Sequence, residues 1–185
     1  MHGQLDYHHQ WYHPTHYNTW DNYRNAYYYN YINNWGNCRQ PYYRNIALKD
    51  YGPKPFIINI EEAAMQNNNF RTALWTGKHL QVTLMSINAG ESIGLEIHPT
   101  LDQFLRIEEG EGLVQMGKRK DRLDFQARVH DDYAIVIPAG TWHNLINTGN
   151  KPLKLYSIYA PPEHPHGTVH ETKAIAMAAE EHHRY

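Results

Sequence analysis

The sequence predicts an all-β domain, a sandwich or a barrel, between a low-complexity N-terminal arm and a short C-terminal helix. Short apolar segments separated by Gly, Pro, Asn and Asp follow one another from residue 80 to residue 159. The composition changes abruptly near Gly52-Pro53, where a polar, aromatic segment gives way to this pattern. A stretch of good helix formers follows the last strand, over residues 174–179. These observations define three predicted regions, an arm over residues 1–52, a barrel over 53–170 and a helical tail over 171–185.

The predicted arm has a composition that does not support a fold of its own. Tyr, Asn, His and Trp dominate residues 1–52, as in the run Tyr27-Tyr28-Tyr29-Asn30-Tyr31, and few aliphatic residues accompany them. Such a segment cannot build an aliphatic core. Its aromatic content and low charge favour self-association over solvation. We therefore expect either a loose arm or a segment that packs on a neighbouring subunit.

Local patterns place a small helix and a series of strands after the arm. A short apolar run predicts a strand over residues 56–58. Asn59 is a good N-cap for a helix over residues 60–66, with Glu62 at the position of a capping-box partner. Eight further apolar segments bounded by turn residues predict strands over 80–87, 93–98, 103–109, 112–116, 125–129, 133–137, 142–147 and 153–159.

Two separated blocks of the sequence carry the polar side chains that we expect inside the barrel. Successive side chains on a strand point to opposite faces, so Glu96 and His98 point the same way. Gln103 follows a tight link of four residues and shares its strand face with Leu105. Much later, a turn that contains Pro and Gly precedes His143, which begins another strand.

These positions resemble the two motifs of the cupin superfamily. The first motif is a His-X-His pair followed by a Glu and a Gly, and its places are held here by Glu96, His98, Gln103 and Gly110. The second is Pro-X-Gly followed by a His and an Asn, and its places are held by Pro138, Gly140, His143 and Asn147. The Gly that usually opens the second motif is replaced by Asp132. The resemblance covers residues 80–161 and implies a small single-domain cupin, a jelly-roll β-barrel loosely similar to cupin-type mannose-6-phosphate isomerases.

The resemblance also implies a divalent-metal site built from Glu96, His98, Gln103 and His143. Two imidazoles, one carboxylate and one amide oxygen suit a first-row metal with positions left open for water or substrate. The ligands alone do not choose between zinc, manganese, iron and nickel. The alternative is a cupin without a metal, in which the four side chains form a polar, hydrogen-bonded core. A buried Glu without a cation is costly, and this favours the metal.

The residues around the metal are less sharply defined. We expect the substrate pocket to be formed by Arg71, Trp75, Met85, Leu105, Tyr156, His164 and His166. Plain core packing is the alternative for the apolar members. An Arg at a pocket mouth holds an anionic substrate through bidentate hydrogen bonds, and an exposed Arg is the alternative. The His-rich stretch over residues 161–170 either closes over the mouth, as a proton shuttle or accessory metal site, or simply leaves the sheet.

The cupin superfamily contains isomerases, dioxygenases, decarboxylases and binding proteins, so the resemblance leaves the reaction open. We expect a metal-dependent isomerase or oxygenase that acts on a small polar molecule, sugar-like or carboxylate, and the sequence assigns no catalytic residue. A sugar phosphate is disfavoured, because the Gln and Glu places are exchanged and only Arg71 and Arg106 are available to hold a phosphate. The alternative is a non-catalytic assembly protein, similar in composition to the tyrosine-rich coat proteins of bacterial spores.

Bulk properties limit the partners and the compartment. The formal net charge is −2 and no strongly basic face appears, which argues against nucleic acid. No run approaches the roughly 20 apolar residues of a membrane span, and the N-terminus lacks a signal-peptide pattern. The single cysteine, Cys38, excludes an internal disulfide framework. We expect a cytoplasmic protein, or one of a spore coat or surface layer, that forms a homodimer or larger homo-oligomer through its arm.

Overall fold

The computed structural model describes residues 45–182. The predictions made for residues 1–44, including the role of the arm in assembly, lie outside this part of the chain. The boundaries of the three predicted regions therefore stay predictions. Within residues 45–182, no helix is long and apolar enough to cross a membrane.

Nine strands and two helices form the described part of the chain. In chain order they are α1 (Ile60–Gln66), β1 (Arg71–Thr76), β2 (Gln81–Ile87), β3 (Asp102–Glu109), β4 (Glu111–Gly117), β5 (Phe125–His130), β6 (Ala134–Ile137), β7 (Trp142–Asn147), β8 (Leu153–Ala160), β9 (Val169–His170) and α2 (Lys173–His182). One sheet has the order β6-β3-β8-β2-β1-β9 and the other the order β5-β4-β7. All the strand pairs are antiparallel. The predicted all-β fold and the C-terminal helix are confirmed.

The interior of the larger sheet changes from apolar to polar along its strands. At one end, Ile107, Leu155 and Met85 are register partners on β3, β8 and β2. They belong to a buried cluster that also takes in side chains of the smaller sheet. We call this end the apolar half. At the other end, the corresponding register partners are Gln103, Tyr159 and Gln81, all buried. We call this end the polar half, and it borders the site described below.

The predicted helix cap and the segment before it are tied to the outside of the barrel. Asn59 Oδ1 accepts a hydrogen bond from the backbone N–H of Glu62 at 3.2 Å, which confirms the predicted N-cap. Further upstream, the Asp50 carboxylate accepts hydrogen bonds from the backbone N–H groups of Gly52, Thr76 and Gly167. Asp50 therefore joins three separate segments of the chain.

Two predicted strands are wrong, for different physical reasons. Residues 56–58 have no strand partner within the described chain; Phe56 and Ile58 pack on the outside of the barrel, while Ile57 is 98% exposed. Residues 93–98 pair with β7 only through isolated bridges at Ser92 and Glu96. Gly94 interrupts this segment with φ +103, a left-handed conformation that breaks the regular pleat.

Two strands were missed by the sequence patterns. In β1, residues 71–74 are all buried, so the alternation typical of a half-buried strand is absent. A register shift between Ala73 and Trp75 disturbs the pattern further. β9 has only two residues and pairs with β1. Neither strand gives a periodic signal, yet together they form the edge of the larger sheet that lies next to the site.

Candidate metal centre

Glu96 and His143 face each other across an isolated bridge at the rim of the barrel. The Glu96 N–H donates to the His143 carbonyl at 3.0 Å, and the His143 N–H donates to the Glu96 carbonyl at 2.9 Å. His98 is fixed by its carbonyl, which accepts the N–H of Gly140 at 2.8 Å, from the turn that precedes β7. Gly140 has φ +73, which explains the glycine at this turn position. Backbone bonds thus bring two distant blocks of sequence together.

The side chains of this trio converge on one point. Glu96 Oε1 lies 3.2 Å from His143 Nε2 and 3.5 Å from His98 Nε2. The three candidate ligand atoms all lie within 4.8 Å of one another. Four ligands at about 2.0–2.1 Å from a tetrahedral zinc ion are separated by about 3.3 Å from each other. The separations from Glu96 Oε1 therefore suit a shared divalent cation.

Hydrogen bonds on the far side of each imidazole orient the rings toward that point. His143 Nδ1 lies 2.9 Å from the carbonyl oxygen of Thr141, which makes Nδ1 the donor and turns Nε2 toward Glu96 Oε1. His98 Nδ1 lies 3.3 Å from Glu163 Oε1. A carbonyl or carboxylate behind a ligating histidine is the usual support of a metal site. The arrangement leaves both Nε2 atoms available for coordination.

Gln103 is the fourth predicted ligand, and its amide oxygen has no partner within the described chain. Its side chain is 2% exposed, and Nε2 donates to Ser157 Oγ at 3.1 Å. Oε1 is buried and unpaired. Leaving a buried carbonyl oxygen without a donor costs about 1–3 kcal/mol. A cation is the kind of partner that would satisfy this oxygen, so the observation fits a metal at the polar half.

The charges in the site depend on each other. Burial alone would raise the pKa of Glu96, but hydrogen bonds from His143 and His98 outweigh it. The charge of Arg71 acts in the same direction, so the Glu96 pKa lies well below its ordinary value. Burial lowers the pKa of His98, whereas its contacts with Glu163 and Glu96 prevail and raise it to about 9. The ionised Glu96 thus requires a nearby cation, which either the proton on His98 or a metal ion supplies.

Glu96 and His98 line a cavity of about 280 Å³, whereas His143 and Gln103 are not among its lining residues. The loop after β8 and α2 supply the other walls of this cavity. Its titratable lining consists of Glu96, His98, Glu163, His164, His170 and Glu180. Glu163, His164 and His170 belong to the stretch over residues 161–170, for which closure over the mouth was one of the two alternatives, whereas α2 and Glu180 were not expected here. The position of α2 results from the return of the chain over the barrel mouth, which no local pattern encodes.

His164 is held rigidly at the wall of the cavity. Its backbone N–H donates to Gln81 Oε1 at 2.9 Å, and its carbonyl accepts from Gln81 Nε2 at 2.8 Å. Its ring meets that of Tyr159 edge-on at 5.1 Å. Burial lowers the pKa of His164 to about 2, and the charge of Arg71 adds to this effect. The ring is therefore neutral, with a buried Nε2 that has no hydrogen-bond partner in the described chain.

Other predicted pocket residues are divided between the interior and the outside of the barrel. Arg71 is buried beneath the cavity, with its Nη1 atom 3.1 Å from Glu180 Oε1. Met85 and Leu105 pack in the apolar cluster and do not line the cavity. Both residues therefore have the core-packing role that we considered as the alternative.

Trp75, Tyr156 and His166 are corrections to the predicted pocket, because all three lie away from the cavity. Trp75 Nε1 donates to the carbonyl of Lys54 at 2.8 Å on the outer face, beyond the register shift in β1. Tyr156 occupies an outward position on β8, with its ring 6.3 Å from that of Phe104. His166 instead approaches Asp50, with Nε2 and Oδ1 separated by 3.4 Å.

The fold, the motif spacing and the ligand cluster together define a cupin. The sequence profile of the Cupin domain matches residues 83–159, which extend from β2 to β8. The chain belongs to the cupin family, and its barrel is the expected jelly roll. Metal binding is frequent among cupins, and the cluster of Glu96, His98 and His143 fits that property.

Within this family, the chain is 75% identical over 138 residues to YrkC, an uncharacterized protein of Bacillus subtilis, in a match that covers 75% of this chain and 74% of YrkC. It is 42% identical over 115 residues to the uncharacterized protein L612 of Acanthamoeba polyphaga mimivirus, which covers 62% of this chain and 70% of L612. The crystal structure of BH2720 from Bacillus halodurans superimposes with a TM-score of 0.70 at 75% identity, over 70% of this chain and 98% of BH2720.

Proposed function

We propose that this cupin is a metal-dependent enzyme that acts on a small polar molecule, and that its reaction is an isomerisation by proton transfer. The proposal rests on two of the candidate ligands, Glu96 and His98, which line a cavity and are not enclosed by protein. A catalytic metal site keeps a position for water or substrate, and an ion with more than four coordination positions would keep one here even when Gln103 Oε1 also binds. The cavity of about 280 Å³ suits a small substrate.

Each residue of the site has a role in this proposal. Glu96, His98 and His143 would hold the ion, with Gln103 Oε1 as a further donor. A divalent ion bound there supplies a Lewis acid that polarises a carbonyl or hydroxyl of the substrate. Glu163 orients His98 through its Nδ1 atom.

Proton transfer is favoured by the groups in the cavity that are not candidate ligands. Glu163, His164, His170 and Glu180 all line the same cavity as the cluster. The neutral His164 ring lies at the cavity wall and has one donor nitrogen and one acceptor nitrogen. An isomerase needs such groups to move a proton between neighbouring carbons or oxygens.

Oxygenase activity is the second candidate, because two histidines and one carboxylate are the ligand set of non-haem Fe(II) oxygenases. The two reactions differ in a simple measurement. The protein loaded with Fe(II) or Mn(II) is incubated in D₂O with a panel of small hydroxy acids, oxo acids and sugars, and both deuterium incorporation and oxygen uptake are recorded. Deuterium incorporation without oxygen uptake supports the isomerase, and oxygen uptake supports the oxygenase.

The metal itself is tested by elemental analysis of purified variants. The wild-type chain is expected to hold about one equivalent of a divalent metal, and His143→Ala and His98→Ala are expected to lose it. His79→Ala is the matched control, because His79 is an exposed histidine outside the cavity. Full metal retention in both cluster variants, or loss in the control, contradicts the proposal.

A further inference from the structure

Arg71 is a buried cation whose hydrogen-bonding capacity is largely unused. Its side chain is 1% exposed, and within the described chain its one hydrogen bond runs from Nη1 to Glu180 Oε1, at 3.1 Å. Nε is buried and has no partner. A guanidinium group offers five N–H donors in a fork that matches a carboxylate with two parallel hydrogen bonds. The fork of Arg71 is therefore paired at one atom and open at another.

Glu180 is the group that separates Arg71 from the cavity. It lines the cavity, and its side chain is 33% exposed, whereas Arg71 does not line the cavity at all. The charge of Arg71 also acts in the direction of a lower pKa for Glu96 and for His164. If the Glu180 carboxylate moved away, the guanidinium group would face the cavity next to the metal ligands.

The helix that carries Glu180 is weakly attached to the barrel. In α2, Ala176 is the fully buried apolar residue, while Ile175 and Met177 are 46% and 45% exposed. Lys173 adds a hydrogen bond from Nζ to Ser92 Oγ at 2.9 Å. A helix with so little buried apolar surface opens at a low free-energy cost. Movement of its last turn, where Glu180 lies, is thus physically accessible.

We propose that Arg71 is the binding seat for the carboxylate of the ligand, and that Glu180 occupies this seat until a ligand carboxylate displaces it. The ligand is then a small carboxylic acid with a further hydroxyl or carbonyl oxygen. This inference deepens the proposed function, because binding of the ligand's hydroxyl or carbonyl oxygen to a metal rests on that proposal. Recognition of the ligand's carboxylate rests on Arg71 and Glu180 alone.

The observations favour a carboxylate over a phosphate. Glu180 already places one carboxylate oxygen 3.1 Å from Arg71 Nη1, so a carboxylate can reach this guanidinium group. A phosphate carries a larger charge and is normally held by several cations or backbone N–H groups. Here the other charged side chains of the cavity include the carboxylates of Glu96 and Glu163, which repel a dianion. A monoanionic acid group meets one cation and forms one bidentate pair.

The test is a titration of the full-length protein with lactate, followed by NMR of its methionine methyl groups, with and without added zinc. Met177 on α2 reports displacement of the helix, because its sulfur lies beside Gly94. Met85 is buried in the apolar half and is the internal control for folding. Lactamide, which has the same shape without the negative charge, is titrated in parallel.

The decisive variant removes the Glu180 carboxylate, which competes with the ligand carboxylate for Arg71. Glu180→Ala is expected to bind lactate about tenfold more tightly than the wild type, because the seat no longer has to be vacated. Glu181→Ala is the matched control; Glu181 is the next residue of the same helix and is exposed, so it should leave the affinity unchanged. In the Glu180→Ala background, Arg71→Met should abolish saturable binding. Arg71→Lys, which keeps the charge but not the fork, should fall between them.

Two results would overturn the inference. Equal lactate affinity in the wild type and Glu180→Ala would show that Glu180 does not occupy the seat. Equal binding of lactate and lactamide would show that charge is not recognised. Either failure, seen without added zinc, concerns the carboxylate seat and leaves the metal proposal standing. If elemental analysis contradicts the metal proposal, the titration without zinc still tests the carboxylate seat.

Discussion

The two halves of the barrel interior satisfy opposite physical requirements on the same strands. In the apolar half, Ile107, Leu155 and Met85 are at most 1% exposed and carry no side-chain group that needs a hydrogen bond. In the polar half, Gln103 and Tyr159 are equally buried, yet each has a polar atom without a partner. The compared residues are only four positions apart on each strand.

Unpaired polar atoms concentrate at the polar half. Among the described residues, nine buried side-chain nitrogen or oxygen atoms have no hydrogen-bond partner, and six belong to residues in or around the cavity. These six residues are Arg71, His98, Gln103, Tyr159, His164 and His170. Buried polar groups are normally paired, so such a cluster indicates groups reserved for a ligand or an ion. The apolar half stabilises the fold, and this stability allows the polar half to remain incompletely paired.

A substitution in the apolar half should change the free energy of unfolding most. Ile107→Ala should lower the free energy of unfolding by about 2–5 kcal/mol, because it removes buried methyl groups and leaves a cavity. Val136→Ala is the control, since Val136 is 64% exposed on the neighbouring strand β6 and should change stability by about 0.5 kcal/mol or less. Urea denaturation of both variants measures this. Similar losses in the two variants would contradict the assignment of stability to the apolar half.

Removal of the metal from the polar half should have the second largest effect on stability. At a free metal concentration one hundred times the dissociation constant, binding stabilises the folded chain by about 2.7 kcal/mol. A chelator should therefore lower the melting temperature of the wild type. Glu96→Gln, in which a metal ligand is weakened, should show little response to the chelator in the same thermal scan. A chelator effect of equal size in the variant would place the metal elsewhere.

Asp50, outside both halves, provides a pH-dependent comparison. Burial raises the pKa of Asp50, but hydrogen bonds from Thr76, Gly167 and Gly52 prevail and lower it below its ordinary value of 3.8. The ionised form therefore stabilises the fold above that value, and the stabilisation disappears as the pH falls through the lowered pKa. Asp50→Asn should cost about 1–3 kcal/mol at neutral pH.

The difference between the wild type and Asp50→Asn should shrink as the pH is lowered below about 4, where the wild-type carboxyl group begins to be protonated. Urea denaturation between pH 3 and pH 7 measures this. A difference that stays constant over this range would show that the Asp50 charge does not stabilise the fold.

The smallest change in stability is expected for the fourth candidate ligand. Gln103→Leu should change the stability of the metal-free chain by about 1 kcal/mol or less, because removal of the unpaired amide oxygen offsets the loss of the hydrogen bond from Nε2 to Ser157 Oγ. The same substitution should weaken metal binding. Denaturation and metal titration of one protein sample separate the two effects. A clear loss of stability without metal would show that the amide is a structural element and not a reserved ligand.

The motif residues were predictable because their geometry is local. Glu96 and His98 are two residues apart and converge on one point although residues 93–98 form no regular strand, and the turn before His143 contains Gly140 at positive φ. The roles of Arg71 and Glu180 were not predictable in the same way. The burial of Arg71 follows from the pairing of β1 with β2 and β9, and the position of Glu180 follows from the packing of α2 over Gly94. Both depend on contacts between distant parts of the chain.

Strand predictions failed where a single residue overrode a pattern. The segment over residues 93–98 alternates as a strand does, but Gly94 turns the backbone away from the ladder. Trp75 was expected in the pocket, and the register shift next to it places its side chain outside. A β-bulge and a glycine with positive φ each change the direction of the side chains that follow. The apolar periodicity of a sequence does not reveal either feature.

The metal site is tested most directly by anomalous diffraction from crystals of the purified protein, with data collected on both sides of the absorption edge of the metal that elemental analysis identifies. We expect one strong anomalous peak, bonded to a Glu96 carboxylate oxygen and to the Nε2 atoms of His98 and His143. A peak at another position would contradict this assignment. So would a map without a peak, in which Glu96 is paired only with a protonated His98.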